Sequence, residues 1–151
     1  MKYLVLDTCA IIHIIRGSKT GKKCLDWINS LNPQPIQVIS VVTKAELQTF
    51  AVIAGWQSNK IKFLDKFLKG VTYVNITHTD KDLLENYKLI DCYSKNKIPD
   101  LNGDYKQGSH NNMGKNDIWI GTTAMTLNAT LLTADRDFEH LDGKILNVQM
   151  F

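Results

Sequence analysis

Several residue types and patterns that mark common protein classes are scarce or missing in this sequence. Only three cysteines occur among 151 residues, without a C-x-x-C pair, so neither a disulfide framework nor a zinc site is predicted. No apolar run is long enough to span a bilayer, and no signal-peptide pattern begins the chain, which predicts a cytoplasmic protein without membrane association. Neither a glycine-rich phosphate loop nor a nucleophile elbow occurs, so the chemistry of those motifs is not indicated.

Arginine is scarce as well. The 18 basic residues include only two arginines, Arg16 and Arg136, and the net charge is +3. Lysine binds phosphate as a mobile point charge, whereas bidentate recognition of bases typically uses arginine. The composition is therefore compatible with a polyanionic partner, and it predicts contact with a phosphate backbone rather than sequence readout.

The hydrophobic pattern alternates between strand-like and helix-like segments. Residues 2–7 form a continuous apolar run, which is typical of a strand buried on both faces of a parallel sheet. Further strands are predicted at 36–42, 71–76, 129–133 and 144–150, and helices at 8–16, 22–31, 43–54, 58–68, 79–97 and 116–127. This order predicts an α/β fold with a mainly parallel, twisted sheet of about five strands flanked by helices, in a single domain covering 1–151.

One long segment, residues 98–115, lacks helix and strand periodicity. It is rich in glycine, asparagine and aspartate, and it leads directly into the last helix-like segment. Loops of more than about 12–15 residues are uncommon in compact domains and are usually functional or disordered. Two interpretations are open at this point, a mobile flap that contacts substrate and an inert insertion.

Four acidic residues, Asp7, Glu46, Asp117 and Asp135, lie where the chain changes from one predicted element to the next. Asp7 and Asp135 follow strand-like runs, whereas Glu46 and Asp117 lie near the start of helix-like segments. If the strands are parallel neighbours, these carboxylates converge at the end of the sheet where open α/β proteins bind ligands. Clustered carboxylates repel one another unless hard cations hold them, so the pattern predicts Mg²⁺ or Mn²⁺ and phosphate chemistry.

Three of these acids also have a purely structural explanation at helix starts. Asp7 fits a helix N-cap, and Thr43 with Glu46 fits a capping box, in which the glutamate reaches back to the amide of the cap residue. Asp117 follows Asn116, a good N-cap residue, and an acid in the first helical turn is stabilised by the helix dipole. For Glu46 taken alone, the capping box is the favoured interpretation.

Asp135 and Asp137 follow a predicted strand, in a turn-like segment where aspartate is common. One of the two is expected to be a metal ligand, and the other a cap for a short helix near residues 138–140. Turn or cap chemistry explains each acid singly. Four acids at the same edge of one sheet are harder to explain in that way, and together they favour a metal site.

The segments that carry these acids resemble the PIN-domain nucleases, and they look most like the VapC-type toxins of bacterial toxin–antitoxin pairs. The resemblance covers nearly the whole chain in the right order, through Leu4 to Ile12, Ile39 to Leu47, Asn116 to Ala124 and Leu132 to Phe138. By position, the residues that match the metal-binding acids of the family are Asp7, Glu46, Asp117 and Asp135. Those that match its supporting polar residues are Thr8, Asn116 and Thr133, with Asp137 as an accessory acid.

This resemblance implies a fold, an activity and partners. The fold is a three-layer α/β/α PIN-like domain, and the activity is hydrolysis of RNA phosphodiester bonds with Mg²⁺ or Mn²⁺ held by the four acids. The scarcity of arginine favours selection of RNA by shape, as in a structured tRNA. The family also implies a homodimer and a small antitoxin protein, for which the apolar faces of helices 43–54 and 58–68 are the expected surface. Core packing is an alternative explanation of the same apolar residues.

Two features depart from the common pattern of the family. The residue after Asp7 and Thr8 is often asparagine and here is Cys9. The loop before Asp117 is also longer than in compact members of the family.

Two other functions remain as alternatives. A catalytically silent PIN-like module would bind RNA or protein without cleaving a bond. An aspartate-based, magnesium-dependent phosphotransferase would be phosphorylated on Asp7, but such sites need a second acid close to the first-strand group, and the nearby position holds Cys9.

Overall fold

Five strands form one sheet in the computed structural model, which describes all residues from 1 to 151. The strands are β1 (Tyr3–Leu6), β2 (Ile36–Ser40), β3 (Thr72–Val74), β4 (Thr130–Thr133) and β5 (Asn147–Met150), in the sheet order β3-β2-β1-β4-β5. The helices are α1 (Thr8–Arg16), α2 (Lys19–Ser30), α3 (Val41–Ile53), α4 (Ser58–Gly70), α5 (Lys81–Ser94) and α6 (Lys115–Thr126), with a 3₁₀-helix at Arg136–Leu141. The predicted α/β fold is confirmed, and every pairing in the sheet is parallel.

The first strand, β1, lies at the centre of the sheet. Its Val5 pairs with Val38 of β2 on one side and with Leu131 of β4 on the other. Leu4, Val5 and Leu6 are at most 1% exposed, as expected for a continuous apolar run in a parallel sheet. Because all strands run in one direction, the carboxyl ends of β1, β2 and β4 meet at the same edge of the sheet.

Successive side chains of β1 enter two hydrophobic clusters, one on each face of the sheet. Val5 belongs to a cluster of 13 buried residues that includes side chains of α5, α6 and the 3₁₀-helix. Leu4 and Leu6 belong to a cluster of 12 buried residues that includes side chains of α1, α2, α3 and α4. One sheet between two helical layers is the predicted α/β/α arrangement. None of the helices combines the length and the hydrophobicity that crossing a membrane requires.

The helices α2 and α5 do not begin at the residues predicted from the sequence, because their N-cap residues differ from the predicted ones. Before α2, the Ser18 hydroxyl accepts a hydrogen bond from the Gly21 N–H at 3.0 Å, so this helix begins three residues earlier than residue 22. Before α5, the Asp80 carboxylate accepts from the Leu83 N–H at 3.0 Å. The cap is therefore Asp80 and not Thr79.

The helices that carry two of the predicted site residues also begin earlier than expected. The N-cap residue of α3 is Ser40, so Thr43 lies inside the helix and the predicted capping box with Glu46 is wrong. The N-cap residue of α6 is Gly114, so Asn116 lies inside the first turn and is not a cap. Both side chains that lose a capping role, Glu46 and Asn116, are available for contacts with other elements.

The segment between α5 and α6 has no regular secondary structure, as predicted, and it contains its own buried polar anchor. Asp100 is 7% exposed, and its Oδ1 accepts hydrogen bonds from the N–H groups of Asn102 at 2.8 Å and Asp104 at 2.9 Å. The Lys144 ammonium lies 3.7 Å from the other carboxylate oxygen. These backbone hydrogen bonds, first that from Asp104, lower the pKa of Asp100.

Candidate functional site

Asp7 stands directly after β1, and its side chain is almost fully buried, with an exposed fraction of 3%. It occupies the N-cap position of α1, but its side chain makes no capping hydrogen bond. Its Oδ2 instead accepts hydrogen bonds from the Thr133 hydroxyl at 2.7 Å and from the Cys9 thiol at 2.7 Å. Burial raises the pKa of Asp7, and these hydrogen bonds offset only part of that effect. The carboxylate is therefore held by one residue of β4 and one residue of α1, and not by a helix-capping hydrogen bond.

Thr133 and Cys9 join the carboxyl ends of β1 and β4. The Thr133 hydroxyl donates to Asp7 and accepts the N–H of Asp135 at 2.9 Å. The Cys9 sulfur accepts the N–H of Ala134 at 3.3 Å while its thiol donates to Asp7. Burial, followed by the charge of Asp7, raises the pKa of the Cys9 thiol above its ordinary value, so the group is a hydrogen-bond donor and not a thiolate.

Glu46 lies in the second turn of α3 and contacts two other elements. Its Oε2 accepts a hydrogen bond from the Thr8 hydroxyl of α1 at 2.5 Å, and its Oε1 accepts one from the Asn116 amide of α6 at 2.8 Å. Both oxygens are thus fixed by residues that the sequence pattern grouped with the acids. The capping box, which was favoured for Glu46 alone, would have directed this carboxylate away from them.

Asp117 lies in the first turn of α6, where the helix dipole favours a carboxylate. Its pKa is nevertheless raised to about 6, first by burial and then by the charges of Asp7, Asp135, Glu46 and Asp137. Hydrogen bonds join Glu46 to Thr8 and Asn116, which are the chain neighbours of Asp7 and Asp117, and join Thr133 to both Asp7 and Asp135. The carboxylates therefore lie in one region of the protein, in agreement with their effect on the pKa of Asp117. The four predicted acids and the accessory acid are brought together at the carboxyl edge of the sheet.

Asp135 and Asp137 have different environments in the folded protein. Asp135 caps the 3₁₀-helix, because its Oδ1 accepts the N–H of Asp137 at 2.9 Å. The Asp137 side chain is exposed. The cap is therefore Asp135, the acid that the resemblance matched to the metal ligands, and not Asp137. The charge of Asp135 also raises the pKa of Asp7.

A glycine provides the space that the Asp117 carboxylate occupies. A Cβ atom added to Gly114 would lie 2.7 Å from Asp117 Oδ2, closer than real Cβ contacts come. Neither the space at Gly114 nor the contacts of Cys9 were predicted from the sequence. Gly114 carries no pattern signal, because only the folded position of Asp117 shows what the missing side chain allows. Cys9 had one signal, since it stands two residues from Asp7.

No cationic side chain neutralises this cluster of carboxylates. The salt bridges of the protein lie elsewhere, between Lys88 and Glu85, Lys95 and Asp91, and Lys144 and Asp100. Unpaired carboxylates at one site repel one another, and a hard divalent cation with oxygen ligands would relieve the repulsion. No three histidine, cysteine, aspartate or glutamate side chains lie close enough together to hold one ion. Mg²⁺ usually keeps several waters and takes one or two carboxylates, so the donor chemistry fits such an ion.

This protein is an α/β protein with a parallel sheet. Its acidic cluster lies at the carboxyl edge of the central strands, which is where open α/β sheets bind their ligands. The sequence profile of the PIN domain matches residues 4–144 of the chain. The chain belongs to the PIN domain family. A search of curated protein sequences found no significant match.

Several solved structures have the same fold over almost the whole chain. VapBC-1 from nontypeable Haemophilus influenzae is 25% identical, with a TM-score of 0.69, covering 98% of this chain and 97% of that one. VapBC2 from Rickettsia felis, bound to a DNA fragment from its promoter, is 18% identical with a TM-score of 0.67 and coverage of 99% and 98%. A toxin–antitoxin complex from Klebsiella pneumoniae is 18% identical with a TM-score of 0.64 and coverage of 97% and 95%. The resemblance to VapC-type PIN proteins is confirmed.

Proposed function

We propose that this protein is a divalent-metal-dependent endoribonuclease and the toxin of a toxin–antitoxin pair. The observation that carries the proposal is the group of carboxylates without cationic partners at the carboxyl edge of the sheet, in a chain of the PIN domain family. A structural role alone does not account for them, because carboxylates that share a site cost stability unless a cation binds there.

In this proposal Mg²⁺ or Mn²⁺ would be held by Asp7, Glu46, Asp117 and Asp135 together with bound waters, which would bridge the carboxylates that lie too far from the ion for direct contact. A bound ion of this kind lowers the pKa of an attacking water and neutralises charge on the scissile phosphate. No side chain has to form a covalent bond to the substrate. The remaining residues of the site orient the acids, as their hydrogen bonds indicate.

The supporting residues fix the direction of the Glu46 and Asp7 carboxylates. Thr8 and Asn116 donate to the two oxygens of Glu46, so this side chain cannot rotate without losing a hydrogen bond. Thr133 donates to Asp7 and also binds the backbone of Asp135, which links two of the acids. Asp137 is exposed and adds negative charge near Asp117, consistent with an accessory acid.

RNA is the proposed substrate, and shape rather than base sequence is the proposed basis of selection. The chain has 16 lysines and 2 arginines among its 18 basic residues, which favours phosphate contacts over bidentate base contacts. Single-stranded loops of a structured RNA such as tRNA expose phosphates and unstacked bases to such a site. A cytoplasmic location follows from the same proposal, because the substrate is there.

The first test is cleavage of total RNA by the purified, antitoxin-free protein with Mg²⁺, with Mn²⁺ or with EDTA. Wild-type protein should cleave only with a metal, and Asp7→Asn and Asp117→Asn should each lose at least about 100-fold in rate, the upper range for disrupted metal sites. Asp65→Asn is a matched control, since Asp65 is exposed on α4 outside the cluster. RNA binding without cleavage in any metal would instead support the catalytically silent module. Metal-dependent phosphorylation of Asp7 would support the phosphotransferase.

An antitoxin is the second part of the proposal. The Klebsiella structure is a toxin–antitoxin complex, and apolar side chains are exposed on both helices that the sequence predicted as a partner surface. On α3, Val52 is 81% and Ile53 is 79% exposed, and on α4 Phe63 is 51% exposed. Apolar groups exposed to this extent favour a protein contact. The third part of the proposal is that the protein itself forms a homodimer.

The protein encoded by a small reading frame beside this gene is the partner to test. Co-purification with it should be lost in the double variant Val52→Glu/Ile53→Glu and retained in Leu84→Glu, which alters an exposed leucine of α5 on the other side of the sheet. Equal retention of the partner by both variants would exclude this surface. Light scattering on the free protein distinguishes a homodimer from a monomer.

A further inference from the structure

Cys9 lies in the first turn of α1, between the strand ends that carry Asp7 and Asp135. Its thiol donates to Asp7 Oδ2 at 2.7 Å, and its sulfur accepts the Ala134 N–H at 3.3 Å. The sulfur also lies 3.5 Å from the Thr133 hydroxyl. One side chain thus contacts the residue that follows β1 and the two residues that precede Asp135.

The direction of the hydrogen bond to Asp7 follows from the chemistry of the two groups. A carboxylate offers only acceptor oxygens, so the thiol must be the donor in this contact. The sulfur then accepts the Ala134 N–H with its lone pairs. The Ala134 N–H therefore orients the Cys9 thiol, and the thiol in turn orients the Asp7 carboxylate.

Asp7 Oδ2 receives two hydrogen bonds, from two different elements of the fold. The Thr133 hydroxyl comes from β4, and the Cys9 thiol comes from α1. Two donors on one oxygen restrict rotation of a carboxylate more strongly than one donor does. Residues that hold a metal ligand in this way typically contribute 10–100-fold to metal affinity.

We propose that Cys9 is a positioning residue, whose thiol holds Asp7 and the Asp135 segment in the arrangement that binds the divalent ion. This inference rests on the proposed function, because it concerns the same carboxylates. Cys9 makes no contact with substrate in this role, and it acts only through its hydrogen bonds to Asp7 and Ala134.

The test is titration of the full-length protein with Mn²⁺ alone, following the electron paramagnetic resonance signal of the free ion. Cys9→Ala removes the donor, Cys9→Val removes it while filling the space, and Cys9→Ser restores a donor. We expect Mn²⁺ affinity to fall by about 10–100-fold in the first two variants and to remain within about threefold of wild type in Cys9→Ser. Cys92→Ala is the control, because Cys92 is a half-buried cysteine of α5 that makes no side-chain hydrogen bond to the site.

A positioning role and a packing role give different results in this experiment. If Cys9→Ala binds Mn²⁺ like wild type, the inference is wrong, and Cys9 only fills space. If Cys9→Val is as tight as Cys9→Ser, volume rather than hydrogen bonding is the cause, which also overturns it. If Cys9→Ala does not fold, the comparison of the valine and serine variants decides. A wild-type protein that binds no Mn²⁺ would overturn the proposed metal site itself, and this outcome is distinct from the others.

Activity provides a second measurement. In Cys9→Ala, kcat for RNA cleavage should fall while KM stays close to the wild-type value, because the thiol contacts a carboxylate and not the RNA. A rise of KM with unchanged kcat would contradict the positioning role. Recovery of kcat in Cys9→Ser would support it, since serine and cysteine both offer a hydrogen-bond donor at this position and alanine does not.

Discussion

Two buried aspartates of this protein have opposite environments. Asp100, in the loop between α5 and α6, is 7% exposed and receives two backbone N–H groups, with Lys144 nearby. Asp7, at the end of β1, is 3% exposed and lies among other carboxylates. The pKa of Asp100 is lowered and that of Asp7 is raised. Burial alone does not show what an acid is for, because the charge of Asp100 is balanced within the protein and that of Asp7 is not.

Catalysis should show the largest difference between these two aspartates. Asp7→Asn should reduce the rate of metal-dependent RNA cleavage by at least about 100-fold, because it removes a ligand charge. Asp100→Asn should leave the rate within a few-fold of wild type and lower the melting temperature by a few degrees, because the loop loses part of its anchor. Rates and thermal melts of both variants check this. Equal loss of rate in both would show that the loop contributes to the active site.

Divalent ions should raise the free energy of unfolding of the protein by binding to the carboxylates near Asp7. At a concentration of 100 times its Kd, an ion that binds only the folded state adds about 2.7 kcal/mol to the free energy of unfolding. We expect this increase with Mn²⁺ in wild type and in Asp100→Asn, and its loss in Asp7→Asn. Urea unfolding with Mn²⁺ and with EDTA measures it. An unchanged increase in Asp7→Asn would place the ion elsewhere.

Without metal, the charge of Asp117 should destabilise the fold. Its pKa is about 6 in the folded protein and 3.8 in the reference state, so the folded state binds this proton more tightly. Stability from this group is therefore fully present below pH 3.8 and is lost as the pH rises through about 6.

Asp117→Asn should consequently stabilise the metal-free protein at pH 7 by about 1–3 kcal/mol, an upper limit set by about 1.4 kcal/mol per pKa unit. The difference should shrink as the pH falls through about 6 towards 3.8, because the Asp117 carboxyl of the folded wild type is then protonated. Urea unfolding in EDTA between pH 4 and 8 tests this. A variant less stable than wild type at pH 7 would mean that hydrogen bonds of Asp117 outweigh the repulsion.

Gly114→Ala should produce the smallest effect. The added Cβ would displace the end of the Asp117 side chain, which is flexible, so the fold should tolerate it. We expect Mn²⁺ affinity to fall by a few-fold and the melting temperature to remain nearly unchanged. Gly70→Ala is the matched control, since a Cβ there meets nothing within 4 Å. Equal Mn²⁺ affinity in both variants would show that Asp117 adjusts freely.

The parts of this site that the sequence predicted depend on topology, and the parts it missed depend on packing. Parallel strands end at one edge, so acids after β1 and β4 converge there whatever their exact contacts are. The start of α3 was misplaced because β2 passes into the helix without a glycine or proline between them. The contact of Cys9 with Ala134 joins residues far apart in sequence, and the space at Gly114 depends on where the folded protein places the Asp117 carboxylate, so no local pattern encodes either.

The strand β2 continues into α3 without a loop, and this junction affects the direction in which the Glu46 side chain points from the helix. Neighbouring residues of an α-helix are separated by about 100° of rotation. Leu47 is fully buried in the hydrophobic cluster, so its packing fixes the rotation of the helix and with it the direction of Glu46. No flexible linker separates β2 from α3, so the helix cannot turn about its axis independently of the sheet. A substitution that changes the packing of Leu47 should therefore rotate α3 and shift the Glu46 carboxylate.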